Sequence, residues 1–252
     1  MDKLNTVQTP NFKLSVYTEG NIDSPKLALL LPGQLDSKDY PHMRSHVDYL
    51  ASKGFYSVSF DPPGTWESSG DISQYTMTNY IKAINELVEH FGKRPTLFMG
   101  HSRGGAMAML AGTTSPQTLA FISVFSNYSY DSKVNSLYND DEWKSKGYKE
   151  SWRDLPFDSI RKRSFKLPYA FVEDQKQYDM LDGLRKCTKP KLFFLGTRDP
   201  LIKPETVRKA YETAAEPKQL RELDSDHDYR WHPELIRKVN LMAGDFLKEH
   251  AL

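Results

Sequence analysis

The sequence contains 252 residues, with 34 basic and 33 acidic side chains and a net charge of +1 at pH 7. This balance gives no electrostatic reason to expect nucleic acid or an anionic membrane as a partner. The single cysteine, Cys187, excludes an intrachain disulfide. The longest aliphatic run, Leu27–Leu31, is far shorter than the ~20 apolar residues of a membrane-spanning helix, and the N-terminus lacks the apolar core of a secretory signal. We therefore expect a cytoplasmic protein without a membrane span.

The first half of the chain alternates between segments of strand type and segments of helix type. Residues 11–18 alternate polar and apolar side chains, which predicts an edge strand with one solvated face, whereas continuous apolar runs predict buried strands. Apolar side chains at helical spacing predict the helices between them. The predicted strands cover residues 11–18, 26–31, 55–60, 94–99 and 119–125, and the predicted helices cover residues 42–53 and 80–91.

The last quarter of the chain continues the alternation, with predicted strands at residues 191–195 and 219–223 and a closing helix at residues 235–250. Strands that alternate with helices imply an α/β fold, in which a mostly parallel central sheet is covered by helices on both faces. We assign residues 1–128 and 188–252 to this core.

Residues 129–187 interrupt the pattern. They carry no strong strand signal and are rich in aromatic side chains mixed with a balanced set of charges. Because a structureless loop of this length is uncommon inside a compact domain, we predict that this segment forms a cap, or lid, of short amphipathic helices.

The residues Gly100–Gly105 read Gly-His-Ser-Arg-Gly-Gly, between an apolar strand segment and a run of strong helix formers. A strand that turns abruptly into a helix at G-x-S-x-G exposes the serine hydroxyl at the tip of the turn. Gly100 and Gly104 lack side chains, which permits the strand and the helix to cross closely. The motif predicts Ser102 as a nucleophile.

This stretch resembles the nucleophile elbow of the α/β-hydrolase family, which includes serine esterases and lipases. The resemblance implies the α/β-hydrolase fold for nearly the whole chain outside residues 129–187, which lie where members of the family commonly insert a lid. It also implies that an acid and then a histidine follow the serine in chain order.

Asp199 and His227 occur in that order, each just after a late predicted strand. Asp199 lies in a Gly-x-x-Asp turn similar to the acid turn of the family, and Asp131 is the alternative acid. Among the seven histidines, His227 follows the last strand, and His232 is its rival. We predict a Ser102–His227–Asp199 triad, in which the histidine activates the serine and the aspartate orients the histidine.

An oxyanion hole needs two N–H donors near the serine. The resemblance implies that one is the backbone N–H of Arg103 and that the other is the N–H of Gln34, in the loop after the first buried strand. Family members typically show His-Gly at the start of this loop, whereas this chain has Pro32-Gly33. We also predict that Trp66, Trp143 and Trp152 line the substrate pocket, because such pockets are commonly lined by aromatic side chains.

The chain has no His-Glu-x-x-His motif and one cysteine, so we predict neither a metal site nor a cofactor. The predicted function is hydrolysis of carboxylic esters with small or medium apolar acyl groups, through an acyl-enzyme. The partner is then a small-molecule ester. A serine peptidase of aminopeptidase type, a thioesterase and a carbon–carbon bond hydrolase use the same triad and remain alternatives, as does a non-catalytic binding module.

Overall fold

The computed structural model describes residues 5–130 and 141–252, apart from the side chain of Ser159. Eight strands form the central sheet in the order β1-β2-β4-β3-β5-β6-β9-β10. Their bounds are Thr6–Gln8 (β1), Lys13–Glu19 (β2), Leu27–Leu31 (β3), Tyr56–Phe60 (β4), Thr96–His101 (β5), Thr118–Val124 (β6), Lys191–Gly196 (β9) and Lys218–Leu223 (β10).

Strands β1 and β2 are antiparallel to their neighbours, and the six remaining strands run parallel. This confirms the mostly parallel α/β sheet. Strand β1 was not predicted. It pairs with the outer edge of β2, so β2 is not the edge strand of the sheet. Strand β2 is also largely buried rather than solvated on one face. Three residues carry too little pattern to indicate a strand, so only the pairing with β2 identifies β1.

Helices cover both faces of the sheet. The longer helices are Pro41–Ser52 (α1), Met77–His90 (α2), Arg103–Thr114 (α3), Pro204–Thr213 (α7) and Pro233–Glu249 (α8). Strand β3 illustrates the two-layer core, since Leu29 packs with α2 and α3 on one face while Leu30 packs with α1 and α8 on the other. Alternate strand residues point to opposite faces, so a fully apolar strand is buried on both sides.

The inserted segment contains a β-hairpin as well as helices. Strands Tyr148–Leu155 (β7) and Asp158–Pro168 (β8) pair only with each other. Short helices Asp141–Lys146 (α4), Ala170–Gln175 (α5) and Leu181–Lys186 (α6) lie on either side of the hairpin in the chain. The expectation of a wholly helical cap thus needs correction at residues 148–168. The alternation of buried Phe165 and Leu167 with exposed Lys166 is a strand signal, but the dense charges around it obscured the pattern.

Within the described part of the chain, no helix has both the length and the apolar composition required to cross a bilayer.

Candidate active site

Ser102 lies at a sharp turn between β5 and α3, with φ 54° and ψ −121°. Non-glycine residues rarely adopt a positive φ, and such strain is concentrated at functional sites. The turn is held by a hydrogen bond from Ser102 N to Val124 O of 2.8 Å. A Cβ at Gly100 would collide with the Gly104 backbone, and one at Gly104 would collide with the Leu31 carbonyl. The elbow therefore has the geometry that its glycines predict.

The structure brings Ser102, His227 and Asp199 into one hydrogen-bonded chain. Ser102 Oγ lies 2.9 Å from His227 Nε2, and His227 Nδ1 lies 2.7 Å from Asp199 Oδ2. Since a carboxylate only accepts, His227 Nδ1 carries a proton that it donates to Asp199, and Nε2 is free to accept the proton of the serine hydroxyl.

The sequence left His232 as an alternative base and Asp131 as an alternative acid. His232 is exposed at the N-cap position of α8 without a capping side-chain hydrogen bond, and within the described residues no hydrogen bond joins it to Ser102. Asp131 lies outside the described residues.

His101 contacts His227 and the loop that carries it. Its Nε2 donates to the backbone carbonyl of His227 at 3.0 Å, and the two rings lie 5.0 Å apart. Burial lowers the pKa of His101 below its ordinary value, so His101 acts as a neutral donor to the loop that carries His227.

A cavity of about 290 Å³ opens at Ser102. Gln34 and Arg103, the predicted oxyanion-hole residues, both contribute to its wall, and so does Trp143. Polar and charged side chains form much of the rest of the wall: Asp36, Asn127, Lys149, Ser151, Arg153, Asp228 and Arg230. The lining is far less apolar than the aromatic content of residues 129–187 suggested.

The other two predicted pocket tryptophans lie elsewhere. Trp66 lines a second cavity of about 360 Å³ with Phe157, and its Nε1 donates to Leu35 O at 2.9 Å. Trp66 therefore supports the loop after Gln34 from outside. Trp152 is 59% exposed on the hairpin, and it lines neither cavity. Strand alternation explains this. Lys149, Ser151 and Arg153 line the cavity, and Trp152, between the last two, points to the opposite face of the strand.

A buried polar cluster next to Ser102 was missed by the sequence analysis. Asp36 Oδ1 pairs with Arg230 Nη1 at 3.1 Å, and donor atoms of Asp36, His42 and His101 lie within 4.8 Å of one another. Burial alone raises the pKa of Asp36, but His101, Arg153 and Arg230 together hold it well below its usual range. These three side chains could ligate a metal, yet the arginine already supplies the positive charge that Asp36 needs. Positions 36, 42 and 101 show no ligand spacing that the sequence could have revealed.

The hairpin is anchored to the loop that carries Gln34. Arg153 Nη2 donates to Gln34 O, and Tyr40 OH donates to Asp154 O at 2.7 Å. Arg230 Nη2 also lies 3.3 Å from Asp154 Oδ2. The inserted segment therefore forms one wall of the cavity and contacts the predicted oxyanion loop directly.

A family model described as the alpha/beta hydrolase fold matches residues 29–124, which include the elbow. The chain has the α/β-hydrolase fold. The solved mouse alpha/beta hydrolase domain-containing protein 10 superposes on this chain with a TM-score of 0.78 and 17% identity, covering 98% of this chain and 99% of the other. The esterase Pf2001 of Pyrococcus furiosus gives 0.70 and 21%, covering 98% and 91%.

Est1E from Butyrivibrio proteoclasticus, solved with ferulic acid, superposes with a TM-score of 0.73 and 19% identity, covering 97% and 98% of the two chains. Among curated sequences, lysophosphatidylserine lipase ABHD12 of Macaca fascicularis is 24% identical over 259 residues. That match covers 93% of this chain but 60% of the relative, so this chain spans less than two thirds of that protein's length.

Proposed function

We propose that this α/β-hydrolase is a serine hydrolase that cleaves carboxylic esters through an acyl-enzyme. One observation carries the proposal, namely the hydrogen-bonded chain from Ser102 Oγ through His227 to Asp199, with distances of 2.9 and 2.7 Å. A binding module has no need of this chain, whereas a serine nucleophile requires a base and the base requires an orienting group.

The proposed reaction begins when His227 Nε2 takes the proton of Ser102 as Oγ attacks the ester carbonyl. The N–H groups of Gln34 and Arg103 stabilise the oxyanion of the tetrahedral intermediate. The imidazolium, held by Asp199, protonates the departing alcohol. His227 then activates a water molecule, which releases the acid and restores Ser102.

Ester cleavage is preferred over the amide, thioester and carbon–carbon alternatives because two of the similar structures are described as esterases or as bound to ferulic acid, and the curated relative is described as a lipase. A cavity of about 290 Å³ is at the small end of ligand pockets, which span ~300–1,000 Å³. We therefore propose small acyl groups. The polar wall argues against the earlier expectation that these groups are purely apolar.

The decisive experiment uses Ser102→Ala. We expect the wild-type protein to react with a fluorophosphonate probe and to hydrolyse short 4-nitrophenyl esters. The variant should lose covalent labelling and fall in kcat by roughly 10⁴-fold or more, because only binding and the oxyanion hole remain to promote the reaction.

Ser126→Ala is the matched control, since Ser126 is buried and its Oγ donates to the Asn127 carbonyl rather than to a histidine. It should keep both the labelling and the esterase activity. Labelling of the Ser102→Ala protein, or wild-type protein inert to every ester and to the probe, would contradict the proposal.

A further inference from the structure

Arg153 contributes a cationic group to the cavity at Ser102. It lies on strand β7, whose inner face also brings Lys149 and Ser151 to the cavity wall. Its side chain is partly buried, and Nη2 donates to the Gln34 carbonyl. Since Gln34 also carries the N–H proposed for the oxyanion hole, the guanidinium lies within about 6 Å of that N–H. A small molecule bound at Ser102 therefore comes close to this cation.

The guanidinium of Arg153 keeps donors that no protein acceptor uses. Within the described part of the chain, its hydrogen bond to Gln34 O is the one that it makes. Nε and Nη1 have no acceptor among the described residues, and neither atom is enclosed by the protein, whereas Nε and Nη2 of Arg103 are enclosed. The free donors of Arg153 can therefore contact a ligand, and hydrogen bonds from an ionised donor are the stronger kind.

The wall of the cavity carries an excess of positive charge. Its described side chains include four cationic groups and two acidic groups: Arg103, Lys149, Arg153 and Arg230, against Asp36 and Asp228. Both acids pair with Arg230, at 3.1 and 2.8 Å, and no ion pair within the described residues includes Arg153. An anion that enters such a cavity requires a fixed counter-charge, and Arg153 supplies one.

We propose that Arg153 binds a carboxylate of the substrate through Nε and Nη1, so that the natural substrates are small esters that carry a carboxylate. A carboxylate has the single negative charge that one cation without an ion pair offsets. This assignment rests on the proposed esterase function and makes Arg153 a specificity-determining residue, in addition to its contact with the Gln34 carbonyl.

The test compares esters that differ by one carboxylate. The first pair, the mono-4-nitrophenyl ester of glutaric acid and 4-nitrophenyl pentanoate, places the carboxylate on the acyl part. The second pair, 4-carboxyphenyl acetate and phenyl acetate, places it on the alcohol part. In one of the pairs the wild-type protein should favour the charged ester in kcat/KM by about tenfold or more, because a charge-assisted hydrogen bond is gained.

Arg153→Met should lower this preference by about 10- to 100-fold, chiefly through KM of the charged ester. Displacement of the Gln34 loop affects both esters of a pair, so its effect cancels in the ratio. Arg153→Gln removes the charge but keeps an N–H donor for the Gln34 carbonyl, and it should lose the preference as well. Arg153→Lys keeps the charge and should retain part of it. Arg161→Met, the control in the same hairpin, should keep the wild-type ratio.

A second measurement does not depend on turnover. Glutarate should raise the melting temperature of the Ser102→Ala protein, whereas pentanoate at the same concentration should not. Adding Arg153→Gln should abolish the shift, and adding Arg161→Met should preserve it.

Equal rates within both pairs would overturn the assignment, as would a preference that survives both Arg153→Met and Arg153→Gln. A glutarate shift that depends on Arg153, in a protein that cleaves none of the esters, would instead reject the esterase function and leave the carboxylate site standing. A protein that cleaves none of them and shows no shift would reject both.

Discussion

Asp199 shows how individual contacts prepare one side chain for its proposed role. Its carboxylate is buried, and Oδ1 accepts the backbone N–H groups of Leu201 and Ile202 at 2.8 Å each. Oδ2 remains for His227. Two amides that hold one oxygen fix the direction of the other, so the imidazole is kept in a single orientation and tautomer.

We therefore expect Asp199→Asn to lower kcat by about 10³- to 10⁴-fold with little change in KM, because an amide at this position no longer selects the Nδ1–H tautomer. Steady-state kinetics on a short 4-nitrophenyl ester measure the effect.

Asp226→Asn is the control. Asp226 is exposed and accepts only the N–H of Asp228 in the same loop, so its loss should change kcat less than about twofold, as for other surface substitutions. If Asp199→Asn retained most of the activity, the acid would have to be sought elsewhere, with Asp131 the first candidate.

The hairpin formed by β7 and β8 is the element whose structure the sequence analysis did not predict. Its inner face presents Arg153 to the Gln34 carbonyl, and Trp143 of the adjoining helix α4 donates to Leu167 O at 3.1 Å. The hairpin is therefore attached both to the core and to the rest of the insertion. Phe165 of the hairpin packs with Trp143 and Phe171 in a separate apolar cluster, whereas Trp152 and Phe157 are exposed. This explains why so few aromatic residues of the insertion face Ser102.

Replacing Arg153 with methionine should lower kcat by about tenfold, because a small displacement of the Gln34 loop weakens the oxyanion contact. The measurement is kcat on a neutral short-chain ester, which makes no charged contact with this wall.

Arg161→Met is the matched control in the same hairpin. Arg161 is exposed and bonds only to Asp158, so its variant should behave as wild type. Equal kcat values for the two variants would show that the hairpin does not support the Gln34 loop.

Three histidines, His42, His46 and His101, are buried near the edge of the sheet at which Ser102 lies. His46 is fully buried, with Nδ1 2.6 Å from Asn240 Oδ1 and Nε2 2.8 Å from Tyr229 OH. The amide oxygen accepts from Nδ1–H and the hydroxyl donates to Nε2, an arrangement that suits a neutral ring. Burial lowers the pKa of His46 to about 4, and it also lowers the pKa of His42 well below its ordinary value.

These lowered pKa values predict that the free energy of unfolding falls as pH drops from 6.5 towards 4. In this range His42 and His46 bind protons in the unfolded chain but stay neutral in the folded one. His46 alone should contribute a loss of about 3 kcal/mol by pH 4. Urea unfolding followed by circular dichroism across this range measures the effect.

Asp61, whose pKa burial raises to about 6, acts in the opposite direction, so the informative quantity is the difference between variants. His46→Phe should be less stable at pH 7 but should show a shallower dependence on pH. His90→Gln removes an exposed histidine and should keep the wild-type slope. Identical slopes in all three proteins would contradict this account.

Much of the fold and part of the candidate site could be predicted, because the sequence patterns that indicate them involve residues close together in the chain. The predicted strand at 191–195 and the helix at 42–53 agree with the structure within one or two residues, since apolar periodicity reports which face is buried. The elbow could be located at Ser102 because its glycines are required by a close crossing of neighbouring segments. Asp199 and His227 could be proposed because chain order and strand ends limit the choice.

Tertiary structure decided what depends on residues far apart in the chain. The cluster of Asp36, His42 and His101 forms because the loop after β3, helix α1 and the end of β5 meet at one edge of the sheet. The spacing of these residues in the sequence does not predict it. The same holds for Arg103, whose sequence neighbours suggest only a backbone role. Its guanidinium packs on Phe171 and donates to Gln175, two residues that only the folded insertion places beside it. Sequence by itself determined the architecture and the position of the Ser102 elbow, because periodicity and backbone sterics act locally. The charge and shape of the cavity were settled only by packing, because they arise from side chains that the fold brings together.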